Sequence, residues 1–199
     1  ATQFGDFKKA FDLEDCMSTL INDASKVPAG AQGLIFLPYL QGERAPLWNA
    51  NAKGVYFGFN IKHEQRHMVR ATIEGILYNI YSIGKTLEEH RNISSLSANG
   101  TFASFPLWTQ MMADIFDKPV HIKQGSGSDS VAVGSFLVSA TEIGLYETLD
   151  EAAETVALPD HFTPDQENHS TYMKHFALFE RLAHKLLDEF DAFASLQQD

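Results

Sequence analysis

The sequence predicts an α/β domain, because short apolar runs alternate with longer segments in which apolar residues recur at helical spacing. The short runs are rich in β-branched and aromatic residues, which is typical of strands. Glycine, proline and asparagine stand between the segments, where turns are expected. With 44% hydrophobic residues among 199, the chain has enough apolar material for a core and the length of one ordinary domain.

The first half of the chain is predicted to begin with a helix and two strands. The helix at 7–25 ends before a turn that contains Pro28 and Gly30. The apolar runs at 33–38 and 55–59 predict two strands on either side of a turn-rich loop.

A long helix is predicted at 63–89. Its apolar residues at helical spacing are Met68, Ile73, Ile76, Leu77, Ile80 and Leu87. Gly75 and Gly84 lower the helix propensity of this segment, and they are expected to let another element approach the helix closely.

The second half is predicted to alternate between short strands and helices and to end in a long helix. The predicted segments are strands at 93–98 and 119–122, helices at 106–116, 130–143, 147–156 and 168–194, a Gly/Ser loop at 125–129 and a linker at 159–164. One face of the last helix carries large apolar residues: Tyr172, Phe176, Phe179, Leu182, Leu186, Phe190 and Phe193.

Charge and cysteine content exclude several classes of function. The formal net charge is -11 and the pI is about 5.1, whereas nucleic-acid binding needs clustered lysine and arginine. The same charge argues against an anionic membrane surface, and no apolar run is long enough for a transmembrane helix. The first residues lack the apolar stretch of a signal peptide. Cys16 is the single cysteine, which fits a reducing, cytoplasmic location.

The turn-rich loop at 38–54 carries a charge pair, Glu43 and Arg44, together with Trp48. The pair is either a structural ion pair that braces the loop or a group that faces a substrate. Arginine in such a loop suits both roles.

Two strand-to-helix junctions are candidate ligand sites. Residues 99–105 precede the helix at 106–116, and residues 125–134 run into the first turn of the helix at 130–143. Such junctions present backbone N–H groups and the positive end of a helix dipole to an anion. A plain turn at the first junction, and a flexible loop with Asp129 as the helix cap at the second, are the alternatives.

The string HEQRH at 63–67 fits the HExxH pattern of zinc hydrolases, with a third ligand at 88 or 89. However, the string lies at the start of a predicted helix rather than within it. Lys62 and Arg66 would also oppose a bound cation. A polar first helical turn is the alternative.

Several segments resemble one family in order and spacing. The segments are FLPYLQGERAPLWNANAKGVYFG at 36–58, residues 54–74, PLWTQMMADIFDKPV at 106–120 and SDSVAVGSFLVSA at 128–140. They are similar to the C-terminal domain of FGGY carbohydrate kinases, in the gluconokinase and xylulokinase branch. The resemblance implies an actin-like, ribonuclease-H-like ATPase domain, truncated at its N-terminus, with a mixed sheet flanked by helices. Residues 1–199 would form this domain, with the core at about 1–158 and a linker and C-terminal helix at about 159–199.

The resemblance also implies the chemistry. The complete enzyme would transfer the γ-phosphoryl group of ATP, with Mg²⁺, to a sugar or sugar acid such as gluconate or xylulose. Residues implied to hold the nucleotide are Gly100, Thr101, Ser104, Phe105 and Gln3, and those implied to line the cleft are Glu43 and Arg44. The catalytic base and most sugar contacts would lie in a missing N-terminal kinase domain, so the 199 residues alone are expected to be inactive and to hold no metal ligands.

One departure bears on the nucleotide site. The family usually has three glycines where this chain has Gly100, Thr101 and Phe102. Thr101 and Phe102 restrict φ and add bulk where glycine would not. A non-catalytic remnant or interaction domain that no longer binds ATP is therefore an alternative. A homodimer is a further expectation, because missing first strands would leave a sheet edge open to pairing.

Overall fold

The computed structural model describes residues 13–90, 92–122, 129–155 and 160–196. It divides into two compact units, Ala1–Arg91 with Glu167–Asp199, and Asn92–Gln166. The helices are α1 (Leu13–Ala24), α2 (Gln65–Glu88), α3 (Pro106–Phe116), α4 (Asp129–Glu142), α5 (Leu149–Glu154), α6 (Gln166–Lys185) and α7 (Leu187–Leu196). The strands are β1 (Ile35–Pro38), β2 (Gly54–Phe57), β3 (Leu96–Ala98), β4 (Val120–Ile122) and β5 (Asp160–Phe162). The predicted α/β class is confirmed. In the described ranges, no helix combines the length and apolarity that a membrane span requires.

The first unit is built on an antiparallel hairpin against which the long helix packs. Strand β1 pairs with β2 in the register Ile35↔Phe57 to Pro38↔Gly54. Helix α2 reaches β1 at Gly75, where an added Cβ would overlap the carbonyl oxygen of Phe36. The predicted close approach is therefore confirmed at this glycine. The large, fully buried apolar side chains of this unit are Leu34, Leu37, Tyr39, Leu77, Tyr78, Tyr172 and Phe179.

The second unit contains a three-stranded mixed sheet in the order β3-β4-β5. Strand β4 runs parallel to β3 and antiparallel to β5, so the mixed sheet inferred from the resemblance is confirmed. Parallel neighbours need a crossover, and α3 provides it between β3 and β4. Helix α3 has the predicted bounds. Pro106 suits its first turn, and Asp117, with φ of 52°, ends it in the left-handed region.

Residues 160–162 form a strand where the sequence pattern predicted a linker. The segment that follows is fixed to α3, because Gln110 Nε2 donates to the Thr163 carbonyl at 2.9 Å and Asp165 N donates to Asp114 Oδ1 at 2.9 Å. Three residues are too few to show strand periodicity, so the partner strand decides the conformation here. The predicted Gly/Ser loop at 125–129 lies outside the described residues except for Asp129, which begins α4.

The predicted helix at 168–194 is two helices that meet at Leu186. The turn at Leu186 directs Phe190 of α7 onto Tyr39, whose ring centroid lies 6.4 Å away in an edge-to-face arrangement.

Three residues assigned to apolar helix faces are exposed instead: Ile80, Leu87 and Phe193. Periodicity identifies a stripe on a helix, but it does not show how far along the stripe a neighbouring element extends.

Candidate functional site

The junction between β3 and α3 is a tight turn built on Gly100. This residue has φ of 101° and ψ of 175°, a backbone conformation that side-chain-bearing residues rarely adopt. Residues Thr101–Ser104 then form one turn of 3₁₀ helix before Pro106 opens α3. Glycine therefore occupies the position whose backbone conformation requires it, and residues that bear side chains follow.

The ring of Phe102 folds back over this junction. An added Cβ on Gly100 would lie 3.5 Å from Phe102 Cε1, which is ordinary van der Waals contact. The ring centroid also lies 5.7 Å from that of Trp108 on α3. One side of the Gly100 backbone is consequently covered by an aromatic ring, and the ring is held there by a second one.

Hydrogen bonds within the junction use several of its amides. Ala103 N donates to the Gly100 carbonyl at 3.0 Å, and Phe105 N donates to the Phe102 carbonyl at 3.0 Å. The amides of Trp108 and Thr109 both donate to the Phe105 carbonyl, at 3.0 and 3.4 Å. These four amides are thus satisfied within the chain, and an anion at this junction would depend on the α3 dipole and on the remaining N–H groups.

Glu43 braces the loop between β1 and β2, but not through Arg44. Its Oε1 accepts from Ala45 N at 2.8 Å and its Oε2 accepts from Asn79 Nδ2 of α2 at 3.1 Å. Ion pairs seen among the described residues include Lys26–Asp23, Arg66–Glu64, Arg70–Glu74 and Lys85–Glu180. The structural ion pair considered for Glu43 and Arg44 is therefore replaced by hydrogen bonds, and Arg44 is exposed.

The same loop is tied to the C-terminal helix. Asp191 Oδ1 on α7 accepts from Asn49 Nδ2 at 3.3 Å and from Asn51 Nδ2 at 2.8 Å. The loop that carries Arg44 is thus attached to α2 at one end and to α7 at the other.

Gln3, which the resemblance placed near the nucleotide, lies outside the described residues, and for Thr101 and Ser104 only the backbone is described.

The HEQRH string forms the N-terminal boundary of α2. Glu64 is the N-cap, and its amide donates to Nδ1 of His67 at 2.9 Å in a capping box. His63 precedes the helix, and its Nδ1 accepts from Asn60 N at 3.0 Å. In the described ranges, no three His, Cys, Asp or Glu side chains converge as metal ligands would. The string thus forms a polar first helical turn in which backbone amides occupy Nδ1 of both histidines.

A buried charge cluster in the first unit was not anticipated from the sequence. Arg70 and Glu74, both on α2, are 5% and 2% exposed, and Arg70 Nε donates to Glu74 Oε1 at 2.8 Å. Glu74 Oε1 also accepts from Gly30 N at 3.0 Å, and Arg70 Nη2 donates to the Tyr172 hydroxyl of α6. The cluster therefore joins α2 to the turn before β1 and to α6.

Burial raises the pKa of Glu74 above its ordinary value, although Arg70 and the Gly30 amide pull it down. Burial also raises the pKa of Tyr78 well above its ordinary value, and the charge of Glu74 adds to this shift. The available signal was the i,i+4 spacing of an arginine and a glutamate on a helix. That spacing is more often found on exposed faces, which is why it did not predict a buried pair.

The comparisons with known proteins agree with this architecture. The profile of the C-terminal domain of the FGGY family of carbohydrate kinases matches residues 3–143. A gluconokinase from Bacillus licheniformis is 34% identical over 186 residues, which is 92% of this chain and 36% of that protein.

Two solved structures from Lactobacillus acidophilus share the fold. A ligand-bound xylulose kinase has a TM-score of 0.79 at 31% identity, over 87% of this chain and 35% of that one. A gluconate kinase has a TM-score of 0.78 at 31% identity, with the same coverage. The chain spans 36% of the length of the Bacillus licheniformis gluconokinase and of a second one from Bacillus subtilis. Since the profile covers well over half of its residues, the chain belongs to the FGGY family of carbohydrate kinases, of which it matches the C-terminal domain.

Proposed function

We propose that this chain is the C-terminal, nucleotide-binding part of an ATP-dependent kinase for a sugar or sugar acid, with gluconate the favoured substrate and xylulose the alternative. The observation that carries the proposal is the profile match over residues 3–143, which includes the Gly100 junction. The relatives named gluconokinase and xylulose kinase support the two substrates. Residues 1–199 would act as one domain, with its core at about residues 1–158, in a cytoplasmic enzyme.

The division of labour follows from the requirements of phosphoryl transfer. This reaction needs in-line positioning, Mg²⁺ to neutralise phosphate charge and a base for the attacking hydroxyl. The proposed nucleotide contacts are Gly100, Thr101, Ser104, Phe105 and Gln3. Glu43 would shape a cleft-lining loop and Arg44, exposed on that loop, would face the sugar. The base and the outer phosphate contacts would come from an N-terminal kinase domain, and a homodimer remains a further proposal.

Phe102 is expected to weaken nucleotide binding, because its ring covers backbone that a bound base would approach. Saturable binding of ATP and Mg²⁺ in the millimolar range is expected for the wild-type chain by calorimetry. Phe102→Ala should tighten this binding about three- to tenfold, because relief of about 1 kcal/mol of steric overlap changes the dissociation constant by that factor. The control is Phe59→Ala, which removes an exposed ring of the first unit and should leave the affinity unchanged.

The same titration separates the proposal from its main alternative. Absence of saturable binding by both the wild type and Phe102→Ala would favour a non-catalytic remnant, for which the covered Gly100 backbone is the supporting observation. Weaker binding by Phe102→Ala would instead show that the ring stacks on the base.

The polypeptide 1–199 is expected to show no sugar-dependent ATP turnover on its own. It supplies one wall of the proposed cleft, and phosphoryl transfer that excludes water needs the opposite wall as well. A coupled assay of ADP release, with gluconate and with xylulose, measures this directly. Turnover that rises with either sugar would contradict the proposed division of labour.

A further inference from the structure

Two histidines face each other across the antiparallel strands of the second unit. His121 of β4 is the register partner of His161 of β5. Their ring centroids lie 6.0 Å apart and the ring planes meet at 39°. The neighbouring Val120 is fully buried, whereas His161 is exposed and His121 half-buried. Because side chains alternate along a strand, both rings project from the face opposite the core.

We propose that His121 and His161 form a two-residue chelating site for a borderline divalent cation, with Zn²⁺ as the representative ion and water completing its coordination. Neutral imidazole is the commonest protein ligand for such ions. With Zn–N bonds of about 2.0–2.1 Å, two rings that share an ion have centroids roughly 5 Å apart. Rotation of the exposed His161 side chain and of the half-buried His121 side chain closes the remaining difference.

The backbone holds the pair in place. The two histidines lie 40 residues apart in sequence (161 − 121), so they meet only when β4 and β5 pair. After β5, Gln110 Nε2 donates to the Thr163 carbonyl at 2.9 Å, and Gln166 Nε2 donates to Asp117 Oδ1 at 2.6 Å. The segment after β5 is thus anchored to α3 and to the residue that ends it, β5 in turn pairs with β4, and bound metal would stabilise the folded unit.

The pair differs from the other close histidines of the chain. The rings of His63 and His67 lie 5.6 Å apart, but each Nδ1 accepts a backbone amide. In the described part of the second unit, neither His121 nor His161 has a hydrogen bond to another side chain. The net charge of -11 also favours the approach of cations. With two protein ligands, the site would be weaker than a four-ligand structural zinc site.

Calorimetric titration with Zn²⁺ at pH 7.5 tests the proposal on the intact chain. The variants are His121→Gln, His161→Gln and the double variant, with His90→Gln, which alters an exposed histidine of the first unit, as the matched control. Each single variant should bind at least about tenfold more weakly than the wild type, within the range found when metal sites lose a supporting group. The double variant should be little worse than either single one, because the two rings act as one chelate. Binding should also weaken at pH 5.5, since imidazole must be neutral to ligate.

A measurement on the unsubstituted protein guards against variants that fail to fold. Paramagnetic Cu²⁺, which binds nitrogen sites more tightly than Zn²⁺, should broaden the imidazole NMR signals of His121 and His161 before those of other histidines. Equal Zn²⁺ binding by the wild type and the double variant would overturn the proposal. Broadening that begins at other histidines would overturn it as well.

Discussion

Glu74→Ala is expected to destabilise the chain by about 3–5 kcal/mol, the range for removal of one partner from a buried ion pair. The variant removes the carboxylate partner of Arg70, a residue that is 5% exposed in the wild-type structure. It also removes the acceptor of the Gly30 amide. The cost should be dominated by the buried, uncompensated charge rather than by the lost attraction. The midpoint of urea denaturation, followed by circular dichroism, measures the change.

Glu180→Ala is the matched control, because Glu180 is also a helical glutamate in an ion pair. Its partner Lys85 is 46% exposed and its own side chain 36% exposed, so the expected loss is about 0–1 kcal/mol. A second variant, Arg70→Met with Glu74→Met, removes both charges and should be more stable than Glu74→Ala alone. Similar losses for Glu74→Ala and Glu180→Ala would contradict the assigned role of the buried cluster.

Gly75→Ala is expected to destabilise the chain although alanine is the better helix former. Propensity favours the alanine by about 1 kcal/mol. However, its Cβ would overlap the Phe36 carbonyl oxygen and lie 3.0 Å from the carbonyl carbon. Backbone cannot rotate away as a side chain can, so α2 must move off β1. Overpacking of this kind costs about 1–3 kcal/mol or more, which outweighs the gain in propensity.

Gly134→Ala in α4 provides the control for propensity. An added Cβ there meets nothing within 4 Å, so this variant should be as stable as the wild type or gain up to about 1 kcal/mol. Urea denaturation of the two variants gives the sign of each effect. A Gly75→Ala variant at least as stable as the wild type would show that the helix and the strand are not held at contact distance.

The sequence predicted elements best where local signals agree with each other. Helix α3 has proline in its first turn, apolar spacing throughout and a left-handed end at Asp117, and both its bounds were predicted. Strand β5 lies where the sequence predicts a linker, because its conformation depends on β4, a partner distant in sequence. Short strands of this kind have no reliable local signature.

The candidate site was predicted less completely than the fold. The resemblance predicts a nucleotide site at the Gly100 junction, which stays a prediction, whereas the placement of the Phe102 ring against Trp108 depends on packing and cannot be read from residue spacing. Likewise, Arg70 and Glu74 carry charges that normally indicate solvent exposure. They are buried beside Gly30 and Tyr172, hydrogen-bonding partners that come from distant segments of the chain. No local sequence pattern reveals these partners.

The two hydrogen bonds that Asp191 receives from Asn49 and Asn51 span about 140 residues of sequence. A deletion that begins near residue 187 would therefore alter more than the end of the chain, because it would release one anchor of the loop that displays Arg44. When this polypeptide is shortened or fused to another protein, α7 and the loop should therefore be kept together.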